Sequence, residues 1–203
     1  MKNIFSRIRS YLEGRKAMRE LPIDNAIFTI LDTETTGLNV NEGHKILSFG
    51  AVKIKNDSII NNEILDEFVN PERDIPFASR NIHYITEDKV KDKPNIFEIE
   101  KKISDFIENT ILVGHNIDFD INIIKSELFR LNKINIIEIM NNKKIFCTMK
   151  YYENQFNKSK PSLAECYFKL YNKMIAGAHN SKYDIVYTMK IFEKYLKNIK
   201  KND

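Results

Sequence analysis

The pattern of apolar and polar positions along the chain predicts a mixed α/β domain. Residues 26–33 form a mainly apolar run, typical of a buried central strand. Residues 46–55 and 58–69 alternate apolar and polar side chains on either side of a turn at Asn56-Asp57, which predicts an antiparallel hairpin. Two shorter apolar runs complete a predicted five-stranded sheet, at residues 111–113 and 144–148.

Helices are predicted where apolar side chains recur every three or four positions. This spacing occurs in residues 96–107 and continues in a second helix at about 118–131. Ser162, with Glu165 three positions later, predicts a capping box at the start of another helix. The last helix is predicted at about 181–197. Three strands followed by alternating helices and strands indicate an α/β fold in which helices flank a mixed sheet.

The first part of the chain differs from the rest. Residues 3–21 predict an amphipathic helix with basic residues between its apolar positions, and Pro22 ends it. We therefore divide the chain into a basic N-terminal helix and linker, residues 1–25, and a main domain, residues 26–199. The helix could dock on a partner, a nucleic acid or a membrane surface, or it could fold onto its own domain.

Charge and cysteine content narrow the class of protein. The net charge of +4 comes from basic flanks: residues 1–20 carry six Lys/Arg and two acids, and residues 190–203 carry five Lys and two acids, so the body between them is slightly acidic. The two cysteines form neither a Cys-x-x-Cys pair nor a disulfide framework, which favours a reducing cytoplasm. No apolar run approaches the ~20 residues of a membrane span, and the charged N-terminus does not resemble a secretory signal.

The first candidate site residues are Asp32 and Glu34, at the end of the first predicted strand. Residues two apart on a strand point to the same side, so the two carboxylates converge. Burying two like charges is costly unless a cation compensates, and hard oxygen ligands suit Mg²⁺ or Mn²⁺. The alternative is a pair of solvated acids at a strand end.

Two further acids lie where a loop or strand meets a helix. Asp120 falls in the first turn of the helix that follows Gly114-His115-Asn116, where the helix dipole also favours an acid. Asp184 follows Ser181, a candidate N-cap, so local capping would explain this acid without any chemistry. His179 precedes that helix and is either a group that titrates near neutral pH or an ordinary surface histidine.

These segments carry more information together than apart, because strand ends and the helix starts that follow them can meet at one edge of an α/β sheet. The carboxylates expected there are Asp32, Glu34, Asp120 and Asp184. Four carboxylates around one point predict a site for divalent cations. His179 beside them would supply a base for water.

The same segments resemble the motifs of the DEDD superfamily of 3′→5′ exonucleases, in the histidine-containing branch that includes the proofreading subunit of bacterial DNA polymerase III, ribonuclease T and oligoribonuclease. Residues 32–37 match Asp-x-Glu-Thr-Thr-Gly, and residues 115–120 match His-Asn-x-x-Phe-Asp. His179 and Asp184 keep the five-residue spacing of the third motif, with Ser181 where Ala is usual. The resemblance covers about residues 26–197.

This resemblance implies an RNase H-like fold and a phosphodiesterase that uses two Mg²⁺ or Mn²⁺ ions. By matching position, Asp32 would bridge both ions. Glu34 and Asp184 would hold the ion that binds the attacking water, and Asp120 would help to hold the other. His179 would take the proton from that water.

The resemblance also implies contacts to nucleic acid. Leu38 and Phe119 would pack on the terminal base, and Thr35 would offer backbone contacts to the terminal 3′-hydroxyl. Ordinary core packing is the alternative for the two apolar residues. His83 lies in a segment that is similar to a linking segment of the proofreading type, and we expect it to contact substrate. Tyr84 stands where that segment more often has Gly.

The predicted function is a 3′→5′ exonuclease that acts on free 3′ ends, single-stranded or frayed, and releases nucleoside 5′-monophosphates, with DNA favoured over RNA. The predicted protein partner is a DNA polymerase or another replication or repair protein. One alternative is a non-catalytic module that binds nucleic acid or a polymerase through the basic flanks. The other is an exoribonuclease that trims RNA 3′ ends. The presence of all five site residues argues against the non-catalytic alternative.

Overall fold

The computed structural model describes residues 25–56 and 58–200, and these residues are built around one mixed β-sheet. The predicted N-terminal helix at residues 3–21 and Asp57 of the hairpin turn lie outside the described residues. The strands are β1 (Phe28–Thr35), β2 (Ile46–Lys55), β3 (Ser58–Phe68), β4 (Ile111–Gly114) and β5 (Ile145–Cys147). They are arranged in the order β3-β2-β1-β4-β5, so the predicted five-stranded sheet is confirmed.

Strand directions follow from the lengths of the connections. β1, β2 and β3 are joined by short loops and pair antiparallel. β4 and β5 return through helical crossovers and pair parallel to β1 and to each other. The carboxyl ends of β1, β4 and β5 therefore lie along one edge of the sheet, which is where the sequence expects the site.

Helices cover both faces of this sheet. Within the described residues they are α1 (Phe77–His83), α2 (Glu87–Val90), α3 (Ile96–Ile107), α4 (Ile117–Arg130), α5 (Ile134–Asn141), α6 (Thr148–Phe156), α7 (Leu163–Tyr171) and α8 (Ser181–Lys200), with a short 3₁₀ turn at Val40–Glu42. The capping box predicted at Ser162 is present, with Glu165 N donating to Ser162 Oγ at 3.2 Å and Ser162 N donating to Glu165 Oε2 at 2.8 Å.

Two apolar layers form the core, one on each side of the sheet. Leu31 packs with the apolar faces of α3, α4 and α5, whereas Phe28 and Ile30 pack with residues of α6, α7 and α8. Because side chains alternate along a strand, Asp32 and Glu34 share the face of Phe28 and Ile30 and point toward the layer that contains α8.

Four helices of the described chain were not predicted from the sequence: α1, α2, α5 and α6. α1 buries only polar side chains, Ser79 and His83, so it carries no apolar periodicity. α6 begins at Thr148, which the prediction assigned to the end of the last strand, and buries only Thr148 and Tyr152. Helices this short show too few buried apolar positions for a periodic signal.

Candidate active site

The acidic site begins at the carboxyl end of β1. Asp32 lies opposite Gly50 of β2, and Glu34 lies opposite Ser48. The pairing then shifts between Glu34 and Thr35, which marks a β-bulge at the end of the strand. Bulges terminate regular pairing and re-aim side chains, and they are frequent beside active sites.

The first turn of α8 lies directly on this part of the sheet because Gly50 has no side chain. A Cβ at Gly50 would lie 2.8 Å from the carbonyl oxygen of Ser181, closer than real contacts allow. The hydroxyls of Ser48 and Ser181 are hydrogen-bonded at 2.9 Å in the same buried contact. This close approach brings Asp184 of α8 to the acids of β1.

Three carboxylates meet at this contact. Asp32, Glu34 and Asp184 each offer an oxygen, and these oxygens all lie within 4.8 Å of one another. Asp184 Oδ2 accepts a hydrogen bond from the His179 backbone N–H at 3.0 Å, whereas the buried Oδ1 has no hydrogen-bond partner in the described structure. An unpartnered buried carboxylate oxygen beside two other acids fits a divalent cation with oxygen ligands.

Asp120 reaches the same edge from the neighbouring helix. It lies in the first turn of α4, only 4% exposed, and its Oδ1 accepts hydrogen bonds from Thr33 N at 3.0 Å and Thr33 Oγ1 at 2.7 Å. The Asp120 carboxylate is therefore held by β1. Capping of α4 does not explain why an acid is present at this position. Thr33 stands between the two acids of the first motif but faces the α4 side.

Burial raises the pKa of every acid in this group. The pKa of Asp32 is raised well above its usual range, first by burial and then by the charges of its acidic neighbours. Burial also raises the pKa of Glu34 to about 8, of Asp120 to about 7 and of Asp184 to about 6. Fully solvated strand-end acids would not have raised pKa values, so the direction of these shifts argues against that alternative for Asp32 and Glu34. A bound divalent cation would offset the mutual repulsion of these acids.

His179 occupies the loop before α8 and is exposed at the edge of the acid cluster. It adopts the left-handed backbone conformation, with φ of 62°. Burial has the largest effect on the pKa of Asp184 and raises it, and the backbone hydrogen bond and the charge of His179 partly offset this effect. The helix begins at Ser181 itself, so Ser181 is not the N-cap that the sequence predicted, and its hydroxyl contacts Ser48 instead.

The predicted substrate residues lie around the same edge. Leu38 is 80% exposed, so core packing is excluded for it, whereas Phe119 is partly buried against the core layer of α4. Thr35 is buried, and its hydroxyl donates to the carbonyl of Gly37 at 2.9 Å.

His83, the remaining residue predicted to contact substrate, is buried, and one of its ring nitrogens is hydrogen-bonded. Its Nδ1 accepts from Ile85 N at 3.0 Å, which places the proton of the neutral ring on Nε2. Nε2 has no hydrogen-bond partner among the described residues. Burial lowers the pKa of His83, an effect that the Thr35 backbone partly offsets. The neutral ring therefore places its buried Nε2–H beside the Thr35 backbone.

His115 of the second motif does not belong to the acid cluster. Its Nε2 donates to the carbonyl of Pro161 at 2.9 Å, and its Nδ1 lies 3.0 Å from the Thr148 hydroxyl. Burial lowers the pKa of His115, which favours the neutral ring. The histidine thus ties the end of β4 to the start of α6 and to the loop before α7.

The sequence analysis missed three residues that organise the site: Thr33, Ser48 and Gly50. Because side chains alternate along a strand, Thr33 points to the face of the sheet opposite to that of Asp32 and Glu34. The sequence alone could have predicted this orientation. Ser48 and Gly50 matter only because of a contact with α8. No pattern within β2 indicates that contact.

Tyr84 ends α1 in a strained conformation. It has φ of 56° and ψ of 24°, and its ring is 71% exposed. A Cβ in this left-handed region costs roughly 1–2 kcal/mol, which glycine avoids. We expect Tyr84→Gly to raise the free energy of unfolding by about 1 kcal/mol in urea denaturation. Asn172, the equivalent residue at the end of α7 with φ of 52°, is the control, since Asn tolerates this region and Asn172→Gly should gain less.

The class of this domain follows from its match to a known protein family. Residues 29–192 match the model of the exonuclease family (RNase_T), so the chain belongs to this exonuclease family. Its predicted membership of the DEDD exonuclease superfamily is thereby confirmed, and with it the predicted enzyme class, a nuclease.

Curated relatives agree with this family. The chain is 38% identical over 120 residues to a DNA polymerase III subunit epsilon-like protein of Rhodobacter capsulatus. The aligned region covers 59% of this chain and 17% of that protein. It is 39% identical over 114 residues to the DNA polymerase III subunit epsilon of Rickettsia conorii, covering 55% and 49% respectively. The chain thus spans about half the length of these relatives or less.

Solved structures match the described fold. Exonuclease X, in complex with 5′-overhanging duplex DNA, is 25% identical with a TM-score of 0.61, over 84% of this chain and 93% of that one. Exonuclease I of E. coli, in complex with a dT13 oligonucleotide, is 16% identical with a TM-score of 0.69, over 87% and 42%. The predicted RNase H-like fold is confirmed. None of the helices in the described part of the chain is long and apolar enough to cross a membrane.

Proposed function

We propose that this chain is a 3′→5′ exonuclease that uses two divalent cations, Mg²⁺ or Mn²⁺, and prefers DNA to RNA. The observation that carries the proposal is the meeting of Asp32, Glu34 and Asp184, with one buried oxygen of Asp184 left without a partner. The family match and the epsilon subunits among its relatives support the direction of degradation and the DNA preference. The DNA-bound exonuclease X supports the DNA preference as well.

The four acids divide between the two cations. Asp32, Glu34 and Asp184 would hold one cation, and Asp120 together with Asp32 would hold the other. When bound, the cations supply positive charge for the developing charges on the phosphate and on the departing 3′-oxygen, and they acidify a bound water. Thr33 fixes the Asp120 carboxylate through two hydrogen bonds, one from its backbone N–H and one from its hydroxyl.

His179 acts as the base for the attacking water. A ring nitrogen accepts the proton as the water oxygen bonds to phosphorus and the bond from phosphorus to the 3′-oxygen breaks. The 3′-oxygen of the departing strand takes a proton from water and becomes a 3′-hydroxyl, and the product is a nucleoside 5′-monophosphate. Because the histidine is exposed, it can return the proton to bulk water after each turnover.

The substrate contacts follow the same edge of the sheet. Leu38 supplies an exposed apolar side chain for the terminal base. Phe119, in the first turn of α4, supplies a partly buried one. Thr35 offers its backbone to the terminal 3′-hydroxyl, and His83 supports that backbone from the buried side. Stacking on apolar groups reads any base, so we expect selection of a free 3′ end rather than a sequence.

The deciding experiment compares DNA and RNA oligonucleotides of equal sequence, each labelled at either the 5′ or the 3′ end. With Mg²⁺, the 3′ label on single-stranded DNA should be released first as a mononucleotide, while the 5′ label appears in a ladder of shortening products. Chelation by EDTA should stop both. Faster digestion of RNA would favour the exoribonuclease alternative, and binding without digestion would favour the non-catalytic module.

Cation affinity should depend on pH in a direction that the acids determine. A cation can bind only as protons leave Glu34, Asp120 and Asp184, whose pKa values are about 8, 7 and 6. The affinity for Mg²⁺ or Mn²⁺ should therefore rise from pH 6 to pH 8, with release of protons. Isothermal calorimetry in buffers of different ionisation enthalpy measures both quantities. Affinity that is flat over this range would contradict the proposed ligands.

The proposal also covers the division of the chain into two parts and the protein partner of the first part. Residues 26–199 form the exonuclease domain, and the basic segment 1–25 docks on a DNA polymerase, on another replication or repair protein, or on the nucleic acid itself. The family match over residues 29–192 and the epsilon relatives support this division of roles. A cytoplasmic location fits such partners.

A further inference from the structure

The loop between α7 and α8, residues 172–180, carries His179 and is joined to the acid cluster at its end. The backbone N–H of His179 donates to Asp184 Oδ2, so the path of this loop affects both a proposed base and a proposed cation ligand. His179 is exposed and has a left-handed backbone, so its own side chain does not anchor the loop in the core. The anchoring contacts must come from other residues.

Tyr187 provides a contact of this kind from the second turn of α8. Its hydroxyl accepts a hydrogen bond from Ala176 N at 2.9 Å and donates to the Ala176 carbonyl oxygen at 3.2 Å. Both backbone groups of one residue are thus held by a single hydroxyl. Ala176 lies three residues before His179, so this clamp fixes the direction in which the loop approaches the site.

The ring of Tyr187 is itself held in place. Tyr167 of α7, only 6% exposed, packs edge-on against it with ring centroids 4.9 Å apart and an interplanar angle of 72°. Tyr167 in turn stacks on Tyr171, with centroids 4.7 Å apart. Because both neighbours belong to the helix that precedes the loop, the Tyr187 hydroxyl is presented from a rigid support.

A second contact holds the loop one residue further along. Gly177 has φ of 69°, and a Cβ at this position would lie 2.9 Å from Cδ2 of Tyr183. The loop backbone therefore rests against the Tyr183 ring, in a conformation that suits glycine. Tyr183 and Tyr187 are one helical turn apart and hold adjacent residues of the loop.

We propose that Tyr187 is a positioning residue for catalysis, whose hydroxyl clamps Ala176 so that His179 reaches the attacking water. This inference rests on the proposed function, in which His179 is the base. Tyr187 touches neither substrate nor cation. Its contribution is the placement of the loop, and misplacement of a reacting group by about 1 Å can cost on the order of 100-fold in rate.

The test removes the hydroxyl and keeps the ring. Tyr187→Phe should lower kcat by roughly 10- to 100-fold with little change in KM, and it should speed hydrogen exchange of the Ala176 amide. Tyr171→Phe is the matched control, because the Tyr171 hydroxyl donates to the Lys190 carbonyl at 2.7 Å and holds α7 to α8 without touching the loop. We expect this control to lose stability as Tyr187→Phe does, but to keep its turnover.

A double variant separates positioning from general loosening of the fold. In the His179→Ala background, Tyr187→Phe should cause no further loss of kcat, because the group that it positions is gone. An additional loss there, or normal turnover in Tyr187→Phe with a fully exchanging Ala176 amide, would overturn the inference. If the wild-type chain digests no oligonucleotide, the proposed function fails instead, and amide exchange still reports on the clamp.

Discussion

Asp32→Asn should abolish digestion of a 3′-labelled oligonucleotide, with a loss of turnover of at least roughly 1,000-fold, while the chain stays folded. The charge of Asp32 interacts with those of Asp120, Asp184 and Glu34, and a neutral amide of the same shape cannot replace its carboxylate as a cation ligand. The measurement is the single-turnover rate in saturating Mg²⁺. Calorimetric titration should show weaker cation binding in parallel.

The same variant should be more stable than the wild type when no metal is present. Burial raises the pKa of Asp32 and of its acidic neighbours, so the folded state binds more protons than the unfolded state. Stability of the metal-free wild type should therefore fall as pH rises from about 4, where unfolded acids ionise, through about 8, where Glu34 ionises. Asp32→Asn should recover on the order of 1 kcal/mol at pH 8 and less at pH 5.

An exposed acid serves as the control for this charge change. Asp105 lies on α3 and pairs with Lys101 at 2.8 Å on the surface. Asp105→Asn removes the same charge and should leave both turnover and the pH dependence of stability as in the wild type. Near-normal digestion by Asp32→Asn would show that the acid cluster is not the active site.

His179→Ala should lower turnover by roughly 10²- to 10⁴-fold, the usual contribution of a positioned general base. Cation affinity should change little, since the four acids remain. His179→Asn belongs beside it, because asparagine tolerates the left-handed backbone of this residue and so isolates the loss of the imidazole from backbone strain. Added imidazole should restore part of the rate in both variants.

Lys173→Ala is the matched control for that experiment, since Lys173 is an exposed residue of the same loop. It should digest DNA at the wild-type rate. If His179→Ala and His179→Asn were slowed only a few-fold, the surface-histidine interpretation would hold and another group would have to accept the proton.

Much of the fold could be predicted from the chain because its main elements have strong periodic patterns. The helix predicted at residues 96–107 has those bounds in the structure, where Ile96, Ile99, Ile103 and Ile107 are buried. The hairpin of β2 and β3 follows from two alternating segments and a turn in which Asn56 has φ of 51°. α5 was missed although Ile136 and Met140 are buried, because isoleucines on its other faces obscure the period.

For the candidate site, the sequence by itself determined which residues we propose for the chemistry. Asp32 and Glu34 share a strand face whatever the rest of the chain does, and the motif spacing marked Asp120, His179 and Asp184. These features are local, because strand alternation and short motifs depend only on neighbouring residues.

Only the tertiary structure decided how close these groups come and how their charges behave. The space left by Gly50 admits the first turn of α8, and the hydroxyl of Thr33 turns Asp120 toward β1. The raised pKa values follow from the burial that results. Contacts between segments more than 80 residues apart leave no periodic trace in either segment, because each depends on the path of the whole chain.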